Sequence, residues 1–188
     1  MFQTLPGTLL TRDQADLRSA YGVIEPILAI TKGLTLSQIR ELTGLENSTV
    51  QNWVKRGWVA RPKSKRYGER QVMRIILINA LRASLQLDRI VQLMQYVNGS
   101  VEDSSDDIIP DGALYDYLCA IVFQLEDSPV LDDRKIDEVI ASHIADYQGP
   151  AADSREKLAK TLRIMTFACI SSRLKQKAEM EMSAILGG

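Results

Sequence analysis

The sequence has few of the residues that build redox, metal and disulfide sites. Its 188 residues include two cysteines, Cys119 and Cys169, and a single histidine, His143. The cysteines form neither a CxxC motif nor the framework of a small disulfide-rich domain. Because free cysteine is among the most buried residue types, we expect two inert core thiols, with a redox sensor as the alternative. With no further histidine or cysteine at ligand spacing, we expect no metal and no cofactor.

Long apolar runs and catalytic signatures are also absent. No stretch approaches the roughly 20 apolar residues that cross a bilayer, and the first residues lack the order of a signal peptide. The glycines are scattered and form no phosphate-cradling loop, and His143 completes no recognisable catalytic triad. We therefore expect a cytoplasmic protein that makes no membrane contact and is not an enzyme. Hydrolysis by a pair of carboxylates stays open as an alternative.

Positive and negative charges are separated along the chain, although the formal net charge is only −1. Residues 1–100 carry 14 basic and 7 acidic side chains, whereas residues 101–188 carry 9 basic and 17 acidic ones. This asymmetry indicates that the first part meets a polyanion; two solvated faces of opposite sign are the alternative. The positive charge is concentrated in residues 48–71, STVQNWVKRGWVARPKSKRYGERQ, where seven Lys or Arg residues accompany one acid.

Apolar spacing predicts a mainly α protein. The predicted elements in the first half are a broken helix at 13–30 interrupted by Gly22 and Pro26, a helix from a capping box at Thr35 to Thr43, a helix from about 47 to 57, a small hairpin or wing, and helices at 69–85 and 87–97. The second half is predicted to contain an acidic loop at 98–112 and helices at 113–125, 132–147 and 154–185. The loop lacks EF-hand spacing, so we expect a solvated loop in which Asp111 caps the next helix.

These elements predict three segments. Residues 1–34 would form an N-terminal helical extension, residues 35–97 a winged helix-turn-helix DNA-binding domain, and residues 98–188 an acidic, all-helical dimerisation or effector domain. The last predicted helix is long, and it carries two apolar stripes, one for its own chain and one for a partner. The stripes are Leu158, Leu162, Met165 and Cys169, and Ile164, Phe167, Ile170 and Leu174.

The basic stretch has the pattern of a DNA-recognition surface. Two short helices joined by a turn at Gly44 have helix-turn-helix spacing. In the second, Val50, Trp53 and Val54 share one face, and the opposite face carries donors and acceptors that suit base edges and phosphates. The predicted recognition-helix residues are Ser48, Thr49, Gln51, Asn52, Lys55 and Arg56. On the wing and the start of the following helix, the predicted contacts with the phosphate backbone are Lys63, Lys65, Arg66, Tyr67 and Arg70.

Residues 35–97 resemble the winged helix-turn-helix of the MerR superfamily. The resemblance rests on TLSQIRELTGLENSTVQNWVKRGWV, a wing that ends in KRY, and SLQLDRIVQLM. A longer resemblance, over roughly residues 35–120, is to a bacterial domain-of-unknown-function family with a MerR-like motif; it rests on NWVKRG, RIILINALR and DSSDDIIPDGALYDYLC. The usual aromatic pair of the MerR recognition helix is Asn52-Trp53 here, and the metal-sensing cysteines are missing, so the resemblance does not imply metal sensing.

The sequence thus predicts a protein that binds double-stranded DNA in a sequence-specific manner and regulates transcription. We expect a homodimer, because one short recognition helix gives few contacts and a dimer doubles them across two half-sites. A small-molecule effector in the C-terminal segment is left open. The alternative function is a protein–protein interaction adaptor that retains the MerR-like fold, which the strongly acidic second half would suit.

Overall fold

The computed structural model describes residues 4–12, 19–126, 128 and 132–187, and these residues form a mainly helical protein. The helices in this part of the chain are α1 (Tyr21–Thr31), α2 (Leu36–Thr43), α3 (Asn47–Lys55), α4 (Glu69–Leu81), α5 (Leu87–Asn98), α6 (Asp111–Glu126), α7 (Asp133–His143) and α8 (Ser154–Leu186). Outside the helices, backbone pairing in the described residues is limited to the isolated bridges Thr4–Thr11, Leu34–Tyr67 and Lys63–Arg66.

Local sequence signals account for several helix ends. At α2, the Thr35 side chain accepts a hydrogen bond from the Gln38 backbone while the Gln38 side chain accepts one from the Thr35 backbone, as the predicted capping box requires. Gly44 then ends α2 in the left-handed conformation, at φ 71°. At α7, the Asp132 side chain accepts from the Lys135 backbone.

Some predicted helix bounds differ from the structure. The predicted interruption at Gly22 and Pro26 is wrong within α1, which runs continuously through both residues; the earlier part of that prediction, residues 13–18, lies outside the described residues. Pro26 lies on an exposed side, where the missing backbone hydrogen bond faces water. The helix predicted to reach Leu85 ends at Leu81, and the one predicted to reach Tyr147 ends at His143.

Helix α4 lies at the centre of the protein. Every residue from Val72 to Ile78 is buried, and the helix packs against α2, α5, α6 and α8. One continuous cluster of buried side chains extends from Leu5 through α4 and α6 to Cys169 on α8. The three predicted segments therefore share one hydrophobic core, and α4, from the middle segment, packs on helices of the last one.

A buried ion pair joins the first and second halves of the chain. Arg74 Nε on α4 lies 3.2 Å from Asp111 Oδ2 on α6, and both side chains are almost fully buried. Asn98 Nδ2 donates to the other Asp111 oxygen at 2.8 Å, and Asn98 Oδ1 accepts from the Ile109 backbone. The predicted role of Asp111 as the cap of a helix beginning near Ala113 is wrong, because α6 begins at Asp111 and its carboxylate pairs with Arg74 instead.

Helix α8 is buried only along its first half. One of the two predicted stripes packs on its own chain: Leu158, Leu162, Met165 and Cys169 are all buried. In the other stripe, Ile164, Phe167 and Leu174 are exposed, and Ile170 packs partly on the core. From Leu174 to Gly187 every residue is exposed. The end of α8 therefore leaves the core, and we call residues 174–186 the α8 arm.

Candidate nucleic-acid interface

Helices α2 and α3 form a closely connected pair. Only Gly44, Leu45 and Glu46 separate them, and Leu45 is buried beneath the turn. The Thr43 hydroxyl accepts a hydrogen bond from the Leu45 backbone, which fixes the direction of the chain as it leaves α2. Asn79 Nδ2 of α4 donates to the Thr43 carbonyl oxygen at 3.0 Å and ties the same turn to the central helix.

Helix α3 separates an apolar face from a polar one. Val50 and Trp53 are buried, and Val54 packs partly against the core. The predicted recognition-helix residues lie elsewhere on the helix: Thr49 is half-buried, and the exposed ones are Ser48, Gln51, Asn52, Lys55 and Arg56. No acidic residue occurs between Asn47 and Arg56. The polar face therefore offers hydrogen-bond donors, acceptors and two cations to a partner.

Arg56 and Trp58 stack where the chain leaves α3. The Arg56 guanidinium carbon lies 5.0 Å from the centre of the Trp58 ring, a cation–π contact. Between them, Gly57 adopts φ 74°, and the Trp58 backbone donates to the Trp53 carbonyl at 2.9 Å. The stack holds the Arg56 charge beside the exposed face of α3 because the ring limits where the guanidinium can move.

A hairpin with a two-residue turn follows α3. Lys63 and Arg66 exchange both backbone hydrogen bonds, with N–O distances of 3.0 and 2.9 Å. Ser64 and Lys65 form its tip with φ 50° and 62°, the pair of positive values that defines a type I′ turn. Neither residue is glycine or asparagine, so the tip holds a lysine in a conformation that costs energy. Lys63, Ser64, Lys65 and Arg66 are all exposed.

The base of the hairpin is attached to the segment between α1 and α2. Leu34 and Tyr67 pair there through their backbones. Arg66 Nη1 also donates to the carbonyl oxygens of Thr31 and Gly33, at 3.0 and 2.9 Å, at the end of α1. The exposed Arg66 side chain thus has a structural role in addition to its charge.

Two residues that were predicted to contact phosphates mainly contact the rest of the protein. Tyr67 is only 4% exposed, so it supports the hairpin from below and offers little surface to a nucleic acid. Burial also raises the pKa of its phenol. Arg70 Nη2 donates to the carbonyl oxygens of Ser100 and Asp103 and pairs with Asp107 at 2.8 Å. Its charge is committed to the acidic loop 99–110, so we leave Arg70 and Tyr67 out of the interface.

The structure also identifies contributors that the sequence patterns did not single out. Gln71 Oε1 accepts from the Gly68 backbone at 2.6 Å, and Gln71 Nε2 donates to the Arg61 carbonyl at 2.7 Å. These bonds fix both ends of the segment 61–68, which contains the hairpin. Arg61 is exposed on that segment. Its position in the basic run was the available signal, whereas nothing in the sequence marked Gln71.

The residues considered for other chemistry lie apart from this surface. Cys119 and Cys169 are buried, as predicted, and burial raises the pKa of the Cys169 thiol to about 12. Burial lowers the pKa of His143, whose Nε2 lies 2.8 Å from Gln124 Oε1. Within the described ranges, no three His, Cys, Asp or Glu side chains converge as metal ligands, and no helix could span a membrane.

A groove of about 590 Å³ lies between α7 and α8. Ile140, Ile144 and Ala159 contribute apolar surface to it, and Arg155, Lys160 and Arg163 lie among its charged lining residues. Arg163 is held by Asp133 and Asp137 at 3.0 and 2.8 Å, so its charge is largely balanced. In volume and lining, the groove suits a mainly apolar small molecule.

Comparisons with known proteins find one family and a curated relative. Residues 24–118 match the family described as "Domain of unknown function (DUF1836)". The uncharacterised protein YkrK of Bacillus subtilis (strain 168) is 25% identical over 142 residues, which cover 72% of this chain and 58% of that protein. The match thus spans less than two thirds of the length of the relative. No solved structure matches the chain. The family match agrees with the predicted domain of unknown function, and the MerR-like interpretation stays a prediction.

Proposed function

The chain belongs to the DUF1836 family, and we propose that it is a sequence-specific, double-stranded DNA-binding protein that regulates transcription. In this proposal α2 and α3 form a helix-turn-helix, α3 is the recognition helix, and the hairpin at residues 63–66 is the wing. One observation carries the proposal: the exposed face of α3 presents Gln51, Asn52 and Lys55 without an acidic residue, and an exposed basic hairpin follows it in the chain.

The chemistry of the α3 face suits the major groove of DNA. An α-helix fits this groove, where glutamine and asparagine pair bidentately with adenine and lysine bonds to guanine. Gln51, Asn52 and Lys55 would read bases, whereas Ser48 and Thr49 at the start of the helix would approach a phosphate. Val50 and Trp53 hold the helix to the core, so the polar face would enter the groove as a rigid unit.

The hairpin would supply contacts with phosphates that do not depend on base sequence. Lys63 and Lys65 have exposed side chains near a two-residue turn. Each phosphate neutralised by a lysine releases a condensed counterion, so binding should weaken steeply as salt rises. Arg66 would contribute part of its charge, because its guanidinium also bonds to the end of α1.

The proposal includes a homodimer. One α3 helix offers a handful of base contacts, and two copies would double them across a pair of half-sites. The exposed apolar residues of α8 are the surface that supports this part of the proposal. If a small-molecule effector exists, the groove between α7 and α8 is its proposed site.

Retention of the full-length protein on random duplex DNA is the primary test. We expect retention at low salt and a linear fall of log K against log salt, followed by recovery of related sequences when bound fragments are selected from a genomic pool. A protein that passes through the duplex column at low salt would contradict DNA binding. That result would favour the adaptor, for which the same exposed surface would bind a protein.

A further inference from the structure

Another cavity, of about 470 Å³, lies between the N-terminal segment, the end of α4 and α8. One wall comes from residues 4–8 and another from residues 79–83, and α8 closes the cavity with residues 169–176, where the helix leaves the core to become the α8 arm. We call it the α4–α8 cavity. It shares no lining residue with the groove between α7 and α8. Its volume is within the range of small-molecule sites, about 300–1,000 Å³.

The charged residues that line the α4–α8 cavity are all positive. They are Arg82, at the end of α4, and Arg173, on α8, and no acidic residue in the described part of the chain lines the cavity. The whole chain has 24 acidic and 23 basic residues, so acids are as plentiful as cations. In the α7–α8 groove, for comparison, Asp137 and Glu156 lie among the cations. Two arginines on one cavity wall system without an acid create a positive potential that attracts an anion.

Arg82 is held in place and keeps most of its hydrogen-bonding capacity. Its Nε donates to Asn79 Oδ1 at 2.8 Å, and Asn79 Nδ2 donates to the Gly7 carbonyl oxygen at 2.9 Å. Asn79 therefore ties the arginine to the N-terminal wall of the cavity. Among the described residues, neither Nη atom of Arg82 has an acceptor. These two Nη groups form the edge of the guanidinium that binds two oxygens of one anion.

Helix α8 adds the second arginine and further polar side chains. Helical spacing of i, i+3, i+4 and i+7 gives one side of α8 to the cavity, with Cys169, Ser172, Arg173 and Gln176. Arg173 Nε lies 3.9 Å from Glu126 Oε1, and the other oxygen of that carboxylate lies 3.1 Å from Arg12. Arg173 therefore shares this carboxylate with a closer cation. The side chains of Ser172 and Gln176 have no hydrogen-bond partner within the described ranges.

The remaining lining is small and largely polar. Thr4, Ser172 and Gln176 offer hydroxyl and amide groups, and Ala80 and Ala83 leave room beside them. No aromatic ring in the described part of the chain lines the cavity, so a flat base would find nothing on which to stack. The hydroxyls of a sugar, in contrast, would find hydrogen-bond partners.

We propose that the α4–α8 cavity binds a small phosphorylated sugar or polyol. Its phosphate lies between the guanidinium groups of Arg82 and Arg173, because a phosphate monoester carries up to two negative charges and enough oxygens for two arginines. A carboxylate, with one charge and two oxygens, would satisfy a single arginine. Ser172 and Gln176 bond to the remaining phosphate oxygens or to the sugar. The site uses neither α3 nor the hairpin, so it stands or fails independently of DNA binding.

Titration of the full-length protein with inorganic phosphate, ribose 5-phosphate and glucose 6-phosphate tests the site. Isothermal titration calorimetry should show one site per chain, and the tighter of the two sugar phosphates should bind at least tenfold more tightly than inorganic phosphate, because the sugar adds contacts. Ribose and glucose, which lack the phosphate, should bind at least a hundredfold more weakly than their phosphorylated forms. Potassium chloride at matched ionic strength is the control for screening.

Substitutions in the lining locate the binding. Arg82→Gln and Arg173→Gln should each raise the dissociation constant of the sugar phosphate at least tenfold. Ala83→Trp places a large ring in the cavity and leaves both arginines, and it should abolish binding. Arg82 and Ala83 are exposed, so both of their variants should fold, which circular dichroism checks. Arg134→Gln, at an exposed arginine of α7 outside the lining, is the matched control and should bind normally.

Three results would overturn the inference. The first is that inorganic phosphate and both sugar phosphates fail to bind at millimolar concentrations. The second is that the free sugars bind as tightly as their phosphates. The third is that folded Arg82→Gln and folded Ala83→Trp bind the sugar phosphates as the unaltered protein does. If Arg173→Gln does not fold, the variants at the two exposed positions still decide the outcome.

Discussion

Leu34 and Tyr67 exchange two backbone hydrogen bonds, with N–O distances of 2.9 and 2.8 Å. This pair fastens the base of the hairpin to the residues that precede α2. Gly33, next to Leu34, adopts φ 96°, and a Cβ there would lie 2.6 Å from the Tyr67 carbonyl oxygen. The close approach of the two segments therefore requires glycine, and it places the base of the hairpin next to the start of α2.

The Tyr67 ring should matter more than its hydroxyl. Tyr67→Ala removes a buried ring beneath the hairpin and should lower the free energy of unfolding by about 3–5 kcal/mol. Tyr67→Phe retains the ring and should cost far less. Urea denaturation measures both. Equal destabilisation by the two substitutions would show that the hydroxyl, and not packing, makes the main contribution.

Loss of the side-chain amides of Gln51 and Asn52 should weaken the preference for particular DNA sequences. Gln51→Ala/Asn52→Ala removes two exposed side chains from the proposed base-reading face, with an expected loss of about 1–3 kcal/mol per specific contact and no change in thermal stability. Binding to a selected site and to random duplex measures the difference. Gln92→Ala/Gln95→Ala, on exposed positions of α5, is the control. Unchanged binding to the selected site would show that α3 does not read bases.

The hairpin lysines should contribute to affinity without selecting a sequence. Lys63→Ala should weaken specific and random DNA alike and reduce the slope of log K against log salt by about 0.9. Lys157→Ala, at a lysine on α8 that pairs with Asp153, is a charge-matched control. A sequence-selective loss with an unaltered slope would contradict the phosphate assignment.

The left-handed backbone conformation of Lys65 allows the effect of its charge to be separated from the effect of backbone strain. Lys65→Gly and Lys65→Ala remove the same charge, so both should reduce the salt slope equally. Glycine adopts φ 62° without strain, so Lys65→Gly should be about 1 kcal/mol more stable than Lys65→Ala. Thermal unfolding and DNA titration of the two variants measure these effects. Equal stability of the two would indicate that the hairpin tip rearranges in both.

Breaking the Arg74–Asp111 pair should destabilise the fold strongly. Asp111→Asn leaves a buried guanidinium without its counter-charge and should cost about 3–5 kcal/mol. Arg74→Met/Asp111→Asn removes both charges and keeps an oxygen to accept from Asn98. The double variant should therefore be less destabilised than the sum of its single substitutions. Additive losses in urea denaturation would show that the two charges are not coupled.

The local structural elements could be predicted from the sequence alone. The capping box at Thr35, the stop at Gly44 and the apolar spacing of α5 and α8 each depend on residues close in the chain, and the structure confirms them. The buried cysteines and the buried stripe of α8 could also be predicted, because burial follows apolar character and helical period.

Only the tertiary structure decided how charged side chains are used. In the sequence, Arg66 and Arg70 were both candidate phosphate contacts. Asp111 was a candidate helix cap. The fold instead gives Arg70 to the acidic loop, Arg66 partly to the end of α1, and Asp111 to a buried pair with Arg74. These partners lie 30 or more positions away, so no local pattern identifies them. Which side of α8 stays exposed was likewise decided by the helices that pack on its other side.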